Sequence, residues 1–350
     1  MDVWYPCGIL QERKYRLQSE IEVHIVIDSW QKIGRLIFYV FVLIFLSSLF
    51  FLTACERGDP LPAGDLGYSF EPTVENIPDP KPGLYPVIVV AGDGETIVFE
   101  EPPDRIVALD SAAVEILFAL GEGNRIVGTH DFVQYPKETA AIPRVGSAFS
   151  INLEQIMALE PDLVYTFFSA PVNDLNELGV QVLFQEAPVS LYGVAERIIT
   201  WGSIIGQQDE ALILAQEFIS AIDETEDLLL GSGQAPRIFH DEGPGLWTTG
   251  SGSLANEMYS LLKAKNIFDD VEGYVQVTAE EIVARDPEVI ISVHEQGIEI
   301  FKTNPAFSAL DAVLNNRIYF INGDLVSIAG PRLIDGIDQI ASKFYPELFH

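Results

Sequence analysis

A helix-then-strand pattern occurs twice in this chain, and it constrains the fold more than any other feature. Residues 152–168 (NLEQIMALEPDLVYTFF) and 278–294 (TAEEIVARDPEVIISVH) align without a gap. The identical pairs are Glu154/Glu280, Ile156/Ile282, Ala158/Ala284 and Pro161/Pro287. Any two such units share a hydrophobic period, but the common Glu-x-Ile-x-Ala-x-acid-Pro-acid order is more specific. The repeat therefore predicts two similar α/β lobes.

A long amphipathic stretch lies between the two copies, at residues 207–231 (QQDEALILAQEFISAIDETEDLLLG). Its apolar residues recur near the helical period, Asp209 and Glu210 suit a helix N-terminus, and Gly231 suits a C-terminus. About 24 residues at about 1.5 Å each give a helix of roughly 36 Å, enough to join two lobes. A crossover helix inside one larger sheet is the alternative. Because the joint would be a continuous helix, we expect limited closure on ligand binding.

The pattern before this stretch predicts a parallel sheet. Residues 86–101 read as a hairpin, and the strands 105–109 and 125–129 flank a helix for which Ser111 is a candidate N-cap. Strand, helix and strand in about 25 residues form a βαβ unit, which implies parallel strands. The predicted fold class is α/β: two similar lobes with mostly parallel sheets, joined by one long helix, with a ligand cleft between them.

The chain is strongly acidic. Its 350 residues contain 52 acidic and 20 basic side chains, for a formal net charge of −32. Residues 1–54 contain five of each sign, so the whole imbalance lies after Ala54. Nucleic acid is therefore excluded as an expected partner, because its phosphates would meet a like-charged surface.

The N-terminal region has the pattern of an export signal. Residues 36–52 (LIFYVFVLIFLSSLFFL) carry no charge and follow Lys32 and Arg35. The sequence Leu-Thr-Ala-Cys that ends at Cys55 resembles a bacterial lipobox, in which the cysteine is lipidated and becomes the first residue. An uncleaved membrane-spanning helix is the alternative. In both cases we expect an extracytoplasmic protein, anchored to the outer face of the cell membrane.

These observations divide the chain into six regions. The first region is either a cytoplasmic n-region or the result of a start site placed too far upstream. It is followed by the signal core with its lipobox, a proline- and acid-rich tether, the N-terminal lobe, the connecting helix and the C-terminal lobe. The predicted limits are 1–35, 36–54, 55–86, 87–205, 206–231 and 232–350.

Five stretches of the chain together resemble one known family, the helical-backbone substrate-binding proteins of ABC importers for iron–siderophore complexes, haem and vitamin B12. They are RIVALDSAAVEILFALGEGNRIVG (105–128), NLEQIMALEPDLVYTF (152–167), TTGSGSLANEMYSLLKAKNIF (248–268), TAEEIVARDPEVIISV (278–293) and AGPRLIDGIDQIA (329–341). The resemblance implies a monomeric receptor that passes a metal chelate to a permease and its ATPase, with no intrinsic cofactor.

Candidate cleft residues follow from the rule that ligands bind at the carboxyl ends of parallel strands. Aromatic rings at such positions could stack on a macrocycle or a catecholate, Arg332 could hold a ligand carboxylate, and Asp324 lies in a polar loop after a strand. The candidate aromatic residues are Phe132, Tyr135, Phe149, Phe168, Trp247 and Tyr274. The positions matching a tryptophan and an arginine of vitamin B12 receptors hold Ala148 and Ile328, so a siderophore or haem is an equal candidate.

Three histidines give a second hypothesis. His130, His240 and His294 also fall at predicted strand ends, near carboxylates, and could bind a bare Zn²⁺ or Mn²⁺ ion. Polar lining of the cleft is the alternative role for these side chains.

Glu154 and Glu280 have a role only through the resemblance, which implies that an exposed glutamate of each lobe docks on the permease. An enzyme is the remote alternative, since the body has no Gly-x-Ser-x-Gly elbow, no His-Glu-x-x-His and no cysteine nucleophile.

Overall fold

A computed structural model describes residues 85–147, 150–233 and 236–349. The predicted signal region, Cys55 and most of the tether lie outside the described residues, as does Phe149. None of the described helices combines the length and apolar character that a bilayer crossing requires.

The first lobe begins with an antiparallel hairpin, as predicted, and continues as alternating strands and helices. Its elements are β1 (Val87–Val90), β2 (Thr96–Phe99), β3 (Ile106–Ala108), α1 (Ser111–Ala119), β4 (Ile126–Thr129), β5 (Gly146–Ser147), β6 (Ser150–Ile151), α2 (Leu153–Ala158), β7 (Leu163–Thr166), α3 (Val172–Glu177), β8 (Val182–Phe184) and α4 (Leu191–Ile205).

Helix α5 (Gln208–Leu228) follows, and the second lobe then repeats the alternation. Its elements are β9 (Arg237–Asp241), β10 (Trp247–Thr249), α6 (Leu254–Leu261), β11 (Lys265–Asn266), β12 (Tyr274–Gln276), α7 (Ala279–Arg285), β13 (Val289–Ser292), α8 (Glu295–Thr303), α9 (Asp311–Leu314), β14 (Ile318–Phe320), α10 (Asp324–Ser327) and α11 (Leu333–Phe344).

Each lobe is built on a four-stranded sheet, in the orders β4-β3-β7-β8 and β11-β9-β13-β14. Every strand pair in these two sheets is parallel. In each sheet, the strand that comes first in the chain (β3 or β9) lies between the strands that come second (β4 or β11) and third (β7 or β13). The predicted fold class is confirmed, and two separate sheets exclude the alternative of one larger sheet with an internal crossover helix.

The sequence repeat corresponds to equivalent helix starts. Asn152 caps α2 by accepting the N–H of Gln155, and Thr278 caps α7 by accepting the N–H of Glu281. Glu281 also bonds back to the Thr278 N–H, which completes a capping box. Glu154 and Glu280 therefore occupy the same position of the first helical turn in each lobe.

The cap of α1 differs from the prediction. Asp110, not Ser111, is the N-cap: its backbone is extended and its side chain accepts the N–H of Ala112 at 3.0 Å. The Ser111 hydroxyl instead lies 3.0 Å from His130 Nε2. A carboxylate is at least as good a cap as a hydroxyl, so the one-residue shift costs little.

The predicted connecting stretch forms one unbroken helix, α5, of 21 residues. At about 1.5 Å per residue it is roughly 32 Å long. It ends at Leu228, before Gly231, and the Lys263 ammonium donates to the Leu229 carbonyl just past that end. The exact limits of the six predicted regions remain predictions.

Helices α4 and α5 form a tight hairpin that turns at Gly206, where φ is 76°. The two helices approach closely at Gly202, because a Cβ atom added there would lie 2.1 Å from the Ala211 Cβ. Only glycine therefore fits at position 202 without displacing α5.

One cluster of buried apolar side chains extends through both lobes and α5. It contains Ile116 and Trp201 of the first lobe, Phe218 of α5, and Tyr259 and Ile337 of the second. Relative motion of two domains is restricted when their interface is large and hydrophobic. This shared core supports the expected limited closure.

Substitution of Gly202 tests the helix hairpin. We expect Gly202→Ala to lower the free energy of unfolding by about 2 kcal/mol, because the added methyl overpacks the contact with Ala211. Urea denaturation followed by circular dichroism measures the change. The control is Gly233→Ala, where an added Cβ has no neighbour within 4 Å. Equal urea midpoints for Gly202→Ala and the unmodified protein would show that α4 and α5 do not pack this closely.

Candidate functional site

The loop after β4 is organised around His130. Its Nε2 atom lies 3.0 Å from the Ser111 hydroxyl, and its Nδ1 accepts the Phe132 N–H at 3.3 Å. Burial, reinforced by the nearby Arg144 charge, lowers the pKa of His130 to about 4. The imidazole is therefore neutral at neutral pH, and both nitrogens are engaged. It fixes the loop that exposes the Phe132 ring, of which 66% is accessible to solvent.

His240 of the second lobe is fully buried at the end of β9. Its Nδ1 bonds to the Tyr259 hydroxyl, and its Nε2 lies 2.9 Å from Glu242 Oε1. These two contacts hold the imidazole between α6 and the loop after β9.

His294, after β13, lies in a separate network. Its Nε2 atom is 2.8 Å from Asp241 Oδ2, which also accepts the Ser292 hydroxyl at 2.8 Å. Burial raises the pKa of Asp241, and the contacts with Ser292 and His294 oppose that shift. The pair of strands β9 and β13 is thus joined by side chains as well as by the backbone.

The three histidines do not form a common site. Among the residues described here, no three His, Cys, Asp or Glu side chains are arranged to hold a metal ion. The serine, aspartate and histidine of the second lobe also differ from a catalytic triad. In a triad the serine hydroxyl bonds to the imidazole, whereas the Ser292 hydroxyl donates to Asp241.

Two predicted aromatic residues share a small antiparallel ribbon, β10 paired with β12. Trp247 is opposite Gln276 and Thr249 is opposite Tyr274, which places both aromatic rings diagonally on one face. Trp247 is 44% exposed and Tyr274 is 62% exposed. The segment that contains Tyr274 is a strand because it pairs with β10. The ribbon presents an exposed aromatic face.

Arg332 crosses from the second lobe to the first. It precedes α11, its Nη2 donates to Glu115 of α1, and its guanidinium carbon lies 3.6 Å from the centre of the Tyr135 ring. The Glu115 side chain is only 3% exposed, and that of Arg332 is 18% exposed. From the sequence we expected Arg332 to bind a carboxylate of the ligand. In the structure it binds a carboxylate of the protein, that of Glu115. Glu115, which sequence reasoning missed, was detectable only as an acid inside the apolar run SAAVEILFA.

Asp324 lies close enough to the ion pair for its charge to act on both partners. Burial raises the pKa of Glu115, the bond and charge of Arg332 oppose this, and the Asp324 charge adds to the rise. The Arg332 guanidinium at the junction of the lobes is therefore in contact with one carboxylate, that of Glu115, and is influenced by the charge of a second, that of Asp324.

The remaining predicted residues are spread over the two lobes. Phe168 is half-buried, with its ring centre 5.3 Å from that of Phe167. Glu154 and Glu280 are both exposed, one on each lobe. The structure thus brings together Trp247 with Tyr274 and Arg332 with Tyr135, and it places the two glutamates on different lobes.

Comparison with known proteins gives consistent matches. The family described as periplasmic binding protein matches residues 106–325, more than half of the chain. The uncharacterized ABC transporter substrate-binding lipoprotein YvrC of Bacillus subtilis (strain 168) is 29% identical over 279 residues, covering 77% of this chain and 88% of that protein. The vitamin B12-binding protein of Vibrio cholerae is 27% identical over 249 residues, covering 69% of this chain and 89% of its own length.

Comparison with solved structures agrees with these matches. The crystal structure of the periplasmic vitamin B12 binding protein BtuF of Vibrio cholerae aligns with a TM-score of 0.63 and 26% identity, covering 70% of this chain and 98% of that one. The family match includes both parallel sheets and α5, and it confirms the resemblance drawn from the sequence. The chain therefore belongs to the periplasmic binding protein family, as a substrate-binding protein of the ABC-transporter type.

Proposed function

We propose that this protein is a lipid-anchored extracytoplasmic receptor that binds a metal chelate between its lobes and delivers it to an ABC permease with its ATPase. Cobalamin, haem and iron–siderophore complexes are the candidate ligands. The observation that carries the proposal is the exposed aromatic face of Trp247 and Tyr274 on the second lobe, with Phe132 and Tyr135 exposed on the first. Aromatic faces on both sides suit a ligand with large flat surfaces. The vitamin B12-binding relative supports the same class.

A bare metal ion and an enzymatic substrate have less support. In the described residues, both ring nitrogens of His130 and of His240 are bonded to neighbours in the protein, and His294 Nε2 lies 2.8 Å from Asp241 Oδ2.

Ligand titration tests the aromatic face. After Cys55 the chain contains only two tryptophans, the buried Trp201 and the exposed Trp247, so quenching of their fluorescence by cyanocobalamin, haem or a ferric siderophore reports on the cleft. We expect Trp247→Phe to remove most of the quenching. Tyr274→Ala is expected to weaken binding by about 1.4 kcal/mol, or about tenfold in Kd, because it removes one stacking surface.

The control for these variants is Leu314→Ala. Leu314 is 69% exposed and lies before β14, at the opposite end of the sheet from the proposed site. Its truncation should leave the Kd unchanged. An equal loss of affinity in Leu314→Ala and Tyr274→Ala would contradict a role for the aromatic ribbon in binding.

The two exposed glutamates support the docking part of the proposal. Glu154 and Glu280 occupy equivalent helix positions, so each lobe offers a carboxylate to a basic site on the permease. We expect the double variant Glu154→Lys/Glu280→Lys to bind its chelate normally but to lose transport by more than about tenfold, since repulsion would replace attraction.

The matched control for docking is Glu217→Lys/Glu224→Lys, which makes the same charge change on the exposed face of α5. Transport by both double variants is measured as uptake of radiolabelled chelate in cells that produce the permease. Normal uptake by the Glu154/Glu280 variant would remove the docking assignment while leaving the binding assignment intact.

The lipid anchor is tested at Cys55. The chain has only two cysteines, Cys7 and Cys55, and the lipobox pattern surrounds the second. We expect Cys55→Ala to abolish incorporation of a clickable fatty acid and to change the processed length of the protein, while Cys7→Ala keeps both. Lipid labelling that persists in Cys55→Ala would rule out this cysteine as the attachment site.

A further inference from the structure

The strand ends that face the cleft are rich in carboxylates. In each parallel sheet, an acidic residue lies at or just after the carboxyl end of most strands, where ligands of open α/β sheets bind. These residues are Asp110, Asp131, Glu186, Asp241, Glu242, Glu295 and Asp324. Asp241 is buried and the other six are at least partly accessible. An anionic ligand would therefore approach a region of its own charge, and this repulsion weakens both encounter and binding.

The bases near these ends keep their charge but are fewer than the acids, and the N–H groups of both arginines among them already bond within the protein. Arg144 donates to the carbonyls of His130, Val133 and Thr139. Arg197 donates to the Tyr165 hydroxyl and the Glu186 carbonyl. Lys137 is exposed on the loop after Tyr135, where water and salt screen its charge.

Arg332 is the cation best placed to meet a ligand at the junction of the lobes, and Glu115 neutralises it. One face of its guanidinium lies over the Tyr135 ring, and Nη2 donates to the Glu115 carboxylate. Binding a ligand carboxylate in place of Glu115 would leave Glu115 charged and buried without a partner, which is strongly unfavourable. Asp324 adds a second negative charge close to the same guanidinium.

We infer that the cleft selects chelates with no net charge or a positive charge over anionic ones, and that Glu115 is the residue that sets this preference. The inference rests on the proposed function, since it specifies the charge of the ligand for the same cleft. In the absence of the Glu115 charge, Arg332 would become available to an anionic group without leaving its place beside Tyr135.

The test compares two probes of one shape and different charge. Cyanocobalamin has no net charge, and its monocarboxylate derivative, with one peripheral amide hydrolysed, is anionic. The full chain is reconstituted in nanodiscs of uncharged lipid and titrated with each probe. We expect the unmodified protein to bind the monocarboxylate about tenfold more weakly than cyanocobalamin, a difference of about 1.4 kcal/mol. In Glu115→Gln, whose amide can still accept the Arg332 hydrogen bond, the ratio should fall to about threefold or less with little change for cyanocobalamin.

Two further variants complete the experiment. Glu257→Gln is the matched control, because Glu257 is also partly buried, with its pKa raised by that burial, and it accepts a backbone bond from Leu191, on the first lobe. It should leave the ratio unchanged. Asp324→Asn should lower the ratio in the same direction by a smaller factor, and it provides the measurement if Glu115→Gln does not fold.

The outcomes separate the two claims. Equal affinity of the unmodified protein for both probes, or an unchanged ratio in Glu115→Gln and Asp324→Asn, overturns the charge selection and leaves the proposed function standing. If neither corrinoid binds, the cationic siderophore complex ferrioxamine B and the strongly anionic ferric enterobactin replace them, with the same expected order. If none of these probes and no haem binds, the proposed function fails and the charge selection fails with it.

Discussion

The close packing of α4 against α5 holds the two sheets of this protein in a fixed relation. The contact depends on Gly202, where even a methyl group would overlap with Ala211. From it the buried apolar cluster extends into α1 on one side and into α6 and α11 on the other. We expect a cleft between such lobes to be largely formed before a ligand arrives. Preorganisation of this kind reduces the entropy lost on binding, and it makes the side chains on the walls more decisive for selectivity.

The surfaces that we propose as the walls of the cleft differ in chemistry. The β10–β12 ribbon provides exposed aromatic surface, while the strand ends provide carboxylates, and His130 and His240 serve as buried hydrogen-bonding residues. The Glu115–Arg332 pair joins the lobes where the walls meet. A buried ion pair contributes little net stability compared with apolar packing, but it is costly to separate. We propose that its main effect here is to define which charge the cleft offers.

The sequence predicted those features that are encoded locally. Hydrophobic periodicity located most strands of both sheets, though not β11, together with the unbroken α5 and the equivalent helices α2 and α7, and the repeat predicted that the lobes would be alike. Features that depend on pairing between distant segments were not predictable in this way. Glu115 and Arg332 are 217 positions apart, and nothing near either residue identifies the other. The strand that contains Tyr274 is recognisable only through its pairing with β10, and the N-cap of α1 shifted by one residue because two neighbouring side chains suit that role.

The shared core has a consequence for how the two halves arose and persist. Two copies of one helix–strand plan are typical of a gene duplication, and after such an event each copy would at first have been a folding unit of its own. In the present chain, Trp201 of one copy and Tyr259 of the other belong to the same buried cluster. Each half therefore covers apolar surface of the other. We therefore expect that neither half folds after separation. The two lobes should unfold together as one cooperative unit, even if they descend from copies that once folded separately.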